Sequence, residues 1–270
     1  MPYKTDLHLH TYFSDGSMSP TDIVKRAKEM GYELIAITDH DGIDGVTEGM
    51  IAGKALGIKV IPGIELSTEN DQGISMHILG YYIDIHDIEL TKKLTELKEK
   101  RQERNQRLLA VLNQMGYDIS LADLSFTEGQ HYIGKPIIAR ALLKKGYITH
   151  ARQAFEPDKF LESPEAKAVK KDKISAKEAI ELIRKAGGMA VLAHPMKIKK
   201  IGERGSQTFF DELEKLIQEL KGNGLKGIEC YHTDQTNEES LRLVEVAEKY
   251  HLHITEGSDY HGPEFEKPQK

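Results

Sequence analysis

Seven short segments rich in β-branched and apolar residues recur along this chain, each carrying a histidine or a carboxylate near one end: Lys4–Thr11, Glu33–His40, Lys59–Thr68, Ile74–Ile83, Gly188–Pro195, Leu225–His232 and Leu252–His261. Segments of helical period lie between them. In Ser19–Gly31, Ser19 can cap, Pro20 suits the first helical position, Ile23, Val24, Ala27 and Met30 form an apolar stripe, and Gly31 can close the end. Further helices are expected over 45–57, Ser175–Gly188, Phe209–Gly222 and Asn237–Tyr250. Alternation of strand and helix favours a parallel α/β sheet or barrel, and a 270-residue chain is close to the roughly 250 residues of one such barrel.

The alternation breaks between residues 87 and 173. Ile88–Gly116 reads as one amphipathic helix of roughly 45 Å, followed by shorter helices punctuated by glycine and proline. The expected organisation is therefore a barrel domain of residues 1–86 and 174–270, with an all-helical insertion of residues 87–173. The charged run Lys98–Arg107 reads as the solvated face of its long helix. A formal charge of −6 argues against holding long nucleic acid by bulk charge. No apolar run approaches the length of a membrane span, and the N-terminus lacks a signal-peptide core, so a cytoplasmic protein is expected. The one cysteine, Cys230, cannot form an internal disulfide and reads as a small buried residue.

His8 and His10, two residues apart on a strand, point to one face and make a ready clamp for a divalent metal. Asp15 follows in a Ser-Asp-Gly-Ser turn. His40 ends the second segment, Glu65 the third, His194 the fifth, and Asp259 and His261 the seventh, while His77 lies on the fourth. Taken singly, Asp15 and Asp259 read as turn residues, His77 and His194 as core histidines, and Glu65 as a buried ion-pair partner. Jointly that account fails. Six imidazoles and three carboxylates converging on the carboxyl end of a barrel would repel one another unless cations lay among them.

Asp6–Pro20, Ile35–Gly45, Val60–Thr68, Ala190–Pro195 and Gly257–Gly262 each resemble a motif of the PHP (polymerase and histidinol phosphatase) family, in family order. The resemblance implies a distorted (β/α)7 TIM-like barrel, an α/β fold, and three divalent metals at its C-terminal mouth. It implies that His8, His10, Glu65 and Asp259 hold one metal, Glu65, His77 and His194 a second, and Asp15, His40 and His261 the third. Glu65 would bridge, with His194 and Asp259 beside it as the catalytic core, and a hydroxide between the metals would be the nucleophile. The donor set suits Mn, Zn or Fe. Three divalent ions outweigh three carboxylates and one hydroxide, which leaves the pocket positive and suited to a phosphate dianion. Asp39 is a candidate to orient an imidazole from behind.

Within the insertion, Ile133–Leu142 resembles a segment of a nucleotide-directed PHP subgroup in which a basic side chain caps the site. Arg140, aided by Lys135, is the candidate grip on a substrate phosphate, since a guanidinium pairs bidentately with phosphate. His232 is placed to contact substrate. Gln235 and Ile137 stand where the family commonly has histidine, and His251 and His253 read as structural. The reaction implied is removal of the 3′-phosphate from a nucleoside 3′,5′-bisphosphate, with 5′-to-3′ exonuclease action on short oligonucleotides beside it. The small phosphorylated partner could also be histidinol phosphate. A C–N hydrolase of the amidohydrolase type also begins with two histidines on its first strand, but lacks the Asp15 and His40 pair. A metal-binding module without chemistry is disfavoured by the full ligand set.

Overall fold

The computed structural model describes residues 4–124 and 133–263. Its sheet has the order β1 (Thr5–Leu9), β2 (Leu34–Ile37), β3 (Lys59–Glu69), β4 (Ser75–Tyr81), β6 (Met189–Leu192), β7 (Gly227–His232), β8 (His253–Gly257), with the two-residue β5 (Ile174–Ser175) pairing the end of β3. The sheet closes on itself through a bridge between Leu9 and Tyr260, where the His10 N–H donates to the Tyr260 carbonyl at 3.0 Å. The result is a distorted α/β barrel of seven principal strands.

The distortion has a local cause. β4 runs antiparallel to both β3 and β6, where the alternation predicted parallel neighbours. Only five residues, Asn70–Ile74, join β3 to β4, too few for a crossover helix, and the Asn70 carboxamide oxygen accepts from the N–H groups of Gln72 and Ile74 to turn the chain back. A hairpin therefore replaces one βα unit.

Around the sheet pack α1 (Pro20–Glu29), α2 (Val46–Leu56), α6 (Ala176–Lys185), α7 (Gln207–Gly222) and α8 (Asn237–Lys249). Ser19, Ser175, Ser206 and Thr236 each cap one of these helices through the side-chain oxygen. Ile180 and Ile183 of α6 and Phe209 and Leu213 of α7 are buried against Ile64, Ile78 and Leu192 of the sheet. Each such side chain contributes about 1.5–3 kcal/mol by leaving water.

Among the described residues the insertion comprises α3 (Ile88–Gln114), α4 (Lys135–Lys144), 3₁₀ turns at Leu121–Asp123, Ala151–Phe155 and Phe160–Glu162, and α5 (Pro164–Ala168). α3 serves two cores. Leu90, Leu94 and Leu97 join the barrel core, whereas Leu108, Leu109 and Leu112 join a second core with Ile137, Ile138 and Leu142 of α4. Most of the charged run on α3 is solvated, with Glu99, Lys100, Gln102, Glu103, Gln106 and Arg107 exposed, but Arg101, Arg104 and Asn105 turn inward and are buried. Arg101 Nη2 and Lys171 Nζ both pair with Asp41 Oδ2 of the barrel, Lys171 at 2.8 Å, and this makes burial of the guanidinium tolerable. Among the described residues no helix is long and apolar enough to cross a membrane.

Candidate metal centre

β1 delivers His8, and the residue just beyond its end, His10, to the barrel interior, both fully buried. Asp15 comes from the loop after β1, His40 from just beyond β2, His194 from just beyond β6, and Asp259 and His261 from beyond β8. Two placements differ from the strand-end expectation. β3 continues to Glu69, so Glu65 is interior to its strand rather than terminal. His77 stands near the start of β4, but β4 runs backwards, so its beginning lies at the end of the barrel where the parallel strands finish. Glu65 bridges to His40 of the neighbouring strand end, which sets it level with the mouth.

Five imidazoles surround the fully buried Glu65 carboxylate. Oε1 lies 2.8 Å from His77 Nδ1 and 2.9 Å from His194 Nε2, while Oε2 lies 2.8 Å from His40 Nδ1 and 3.3 Å from both His8 Nε2 and His10 Nε2. Asp259 Oδ1 stands 3.4 Å from His8 Nε2 and 3.1 Å from His10 Nε2, and Asp15 stands 3.2 Å from His261 Nε2 and 3.7 Å from His40 Nε2. Ligand-type atoms lie within 4.8 Å of one another in three sets: His8, His10, Glu65 and Asp259; His10, Asp15, His40 and His261; and His40, Glu65 and His77. His194 reaches Glu65 without joining the third set.

The residues fit divalent metal ions. His8 Nε2 and His10 Nε2 are buried without a hydrogen bond although carboxylate oxygens stand 3.1–3.4 Å away, so these nitrogens aim at shared points rather than at a partner. Donors about 2.0–2.2 Å from one ion are spaced in this way. Against the effect of burial, neighbouring carboxylates hold the His8, His40 and His261 imidazoles above their ordinary range, so a metal entering the centre would displace protons from them. Burial, with His261 and His40 adding like charge, pushes the His10 imidazole down to about 3, which keeps it neutral. Burial alone would raise the Glu65 carboxyl, but the imidazoles around it, His40 first, hold it well below the usual range. Asp259 is likewise held low, by His8 above all, against the effect of burial.

Backbone strain collects here. His194 has φ 25° and Asp259 φ 55°, both in the positive-φ half of backbone space that few side chains adopt. The His194 N–H donates to Glu229 Oε2 at 2.7 Å, and Glu229 Oε1 lies 2.9 Å from His8 Nδ1. Glu229 is fully buried on β7 and was not singled out by the sequence reading. Its signal is a carboxylate within the otherwise apolar Gly227–Cys230 of a strand buried over its first four residues. Asp39 orients no imidazole directly. It accepts from the Thr11 N–H and hydroxyl, both at 2.7 Å, and from the Ser14 hydroxyl, so it fixes the loop that carries Asp15. Ser14 Oγ in turn lies 3.3 Å from His10 Nδ1.

The residues expected to hold substrate divide. Arg140 Nη2 is 3.5 Å from the Asp15 carbonyl, at the edge of the centre. His232 is buried, with Nε2 3.5 Å from Asp259 Oδ2 and Nδ1 accepting from the Asp234 N–H. Lys135 is not brought to the centre: its ammonium donates to the Leu161 carbonyl at 2.9 Å and to Glu162 at 2.8 Å inside the insertion. Gln235 bonds the Cys230 carbonyl, Ile137 is core, and His251 and His253 are exposed.

The PHP domain family model matches residues 6–222. A 5′-3′ exoribonuclease of Haemophilus influenzae is 35% identical over 97% of this chain and 92% of its own length. A phosphoribosyl 1,2-cyclic phosphate 1,2-diphosphodiesterase of Eggerthella lenta is 30% identical over 95% of the chain and 94% of its own. A 3′,5′-nucleoside bisphosphate phosphatase of Chromobacterium violaceum is 29% identical over 96% and 87%. Among solved structures, one from Bifidobacterium adolescentis assigned as a metal-dependent phosphoesterase superposes with a TM-score of 0.86 at 28% identity, covering 100% of this chain and 91% of that one.

Proposed function

Because this chain belongs to the PHP domain family and is a metal-dependent phosphoesterase, we propose that it hydrolyses the P–O3′ bond of small nucleotides, converting a nucleoside 3′,5′-bisphosphate into the 5′-monophosphate and phosphate. The observation that carries this reading is the Glu65 carboxylate ringed by five imidazoles, a centre built to gather divalent cations around one bridging anion. We assign His8, His10, Glu65 and Asp259 to one metal, Glu65, His77 and His194 to a second, and Asp15, His40 and His261 to a third, with Mn, Zn or Fe as the ions. His40 also reaches Glu65, which would make it a partner of the second site as well. When bound, such ions supply Lewis acidity at the phosphoryl oxygens and a nucleophile at neutral pH.

In the reaction a water oxygen bonds to phosphorus, the P–O3′ bond breaks, and a proton ends on O3′. Glu65 stays ionised throughout, Glu229 holds His8 in the tautomer that turns its Nε2 lone pair inward, and Asp39 fixes the loop that presents Asp15. Arg140 is assigned to the second phosphate of the bisphosphate and His232 to substrate beside Asp259. Residues 87–173 would act as a cap that brings Arg140 to the mouth. A second reading, favoured by the resemblance to an exoribonuclease, is scission of the same P–O3′ bond at the 5′ end of a short oligonucleotide.

Release of phosphate or mononucleotide from Mn-supplied enzyme tests both. Nucleoside 3′,5′-bisphosphates and 5′-phosphorylated oligonucleotides should give the highest kcat/KM. A higher value on histidinol phosphate, or on a C–N substrate, would replace the reading.

A further inference from the structure

The metals can account for one phosphate of a nucleotide chain, the one being cleaved. In a bisphosphate its remaining oxygens are free. In an oligonucleotide one of them is esterified to the next nucleoside, and the rest of the chain must leave by an open side of the centre.

A cavity of about 420 Å³ opens there, lined on one side by His40, His77, His194, Asp259 and His261 and on the other by residues 197–200, Lys-Ile-Lys-Lys. Arg140 does not line it. Buried Met196 and Ile198 root this loop in the barrel core and leave Lys197 and Lys199 to line the cavity. Lys200 takes φ 70° and is tethered through Nζ to the Gly73 carbonyl at 2.9 Å. Lys197 Nζ stands 2.7 Å from Asp259 Oδ2 and 3.3 Å from Asp234 Oδ2, so its charge is partly spent on the site. Lys199 is exposed and carries no partner among the described residues. A chain of net charge −6 thus gathers three cations within four residues at the mouth of a phosphoesterase centre. Such a concentration raises the local density of polyanionic substrate.

We propose that Lys197, Lys199 and Lys200 form a track for the phosphates 3′ to the scissile bond, so that single-stranded oligonucleotide leaves the centre across this loop. The inference rests on the oligonucleotide reading above and deepens it by naming the side chains that hold the rest of the chain. Lys199 and Lys200, which touch no assigned metal ligand, are the ones to vary.

The test compares wild-type holoenzyme with the Lys199→Ala/Lys200→Ala double variant, using a nucleoside 3′,5′-bisphosphate and 5′-phosphorylated oligonucleotides of two to five residues. In the wild type kcat/KM should rise with chain length and fall with salt. In the variant the ratio of kcat/KM for a tetranucleotide to that for the bisphosphate should drop about tenfold or more. The log–log salt slope on the tetranucleotide should flatten by about 1.4, since each lost single-strand phosphate contact removes roughly 0.7. A structural defect would depress both substrates together and leave the slope unchanged, and that result would overturn the track. Wild-type enzyme that cleaves the bisphosphate but no oligonucleotide would overturn the track and leave the phosphatase standing. Cleavage of neither would overturn both.

Discussion

Glu229 Oε1 lies 2.9 Å from His8 Nδ1, both residues are fully buried, and the other carboxylate oxygen accepts the strained His194 N–H at 2.7 Å. One side chain thus fixes an imidazole from β1 and the backbone of another imidazole beyond β6. Only glycine fits at position 257, since a Cβ there would stand 2.3 Å from His8 Cβ and 2.6 Å from Glu229 Oε1. Partners of this kind commonly carry about 10- to 100-fold of metal affinity, so Glu229→Gln should weaken metal binding by that order in chelator competition. Its circular dichroism should match the wild type. Unchanged affinity would mean that β1 alone orients His8.

Glu65 stands at the centre of the same arrangement, so Glu65→Gln removes the one anion that faces five imidazoles while nearly preserving volume. Turnover should be abolished in protein that still melts cooperatively, and metal content after dialysis should fall. Near-wild-type kcat would remove Glu65 from the chemistry.

The strand and helix segments, and the ligand-type residues near their ends, could be read from periodicity because both follow local rules. What could not be read depends on pairing. The apolar segment Lys59–Thr68 already runs past Glu65, but nothing local says that Leu66–Glu69 pairs with an antiparallel β4 and so places Glu65 inside its strand. His77 reaches the mouth for the same reason. The exposed part of the charged run on α3 follows the helical period, but no local rule predicts that Asp41, sixty residues earlier, would hold Arg101 in a buried ion pair. Lys135 and Arg140 lie on one helix, yet only the fold decides that one turns to Glu162 and the other toward Asp15.

Cys230 is fully buried, and burial together with the charge of Glu229 pushes its thiol up to about 12. The raised value means that almost no thiolate exists at pH 8, and thiolate is the species that reacts with alkylating agents. Native protein at pH 8 should therefore label far more slowly than protein in denaturant, and the labelling rate should track global unfolding. Rapid labelling of the native state would show local opening of β7 beside Glu229.

Arg140 Nη2 lies 3.5 Å from the carbonyl of Asp15, a residue assigned to the third metal, so the insertion brings a guanidinium to the edge of the centre. A bisphosphate has two charged ends. While one is cleaved, the other needs a cation, and Lys135, turned to Glu162, does not supply it. Loss of a charge-assisted hydrogen bond costs about 1.5–3 kcal/mol, or roughly 10- to 150-fold, so Arg140→Ala should lower kcat/KM on a nucleoside 3′,5′-bisphosphate by that order. An aryl phosphate has only the reacting end and should be hydrolysed with much smaller loss by the same variant. Equal losses on both substrates would put Arg140 at the reacting phosphate, acting through the loop that carries Asp15. No loss on either would leave it a structural contact between α4 and that loop.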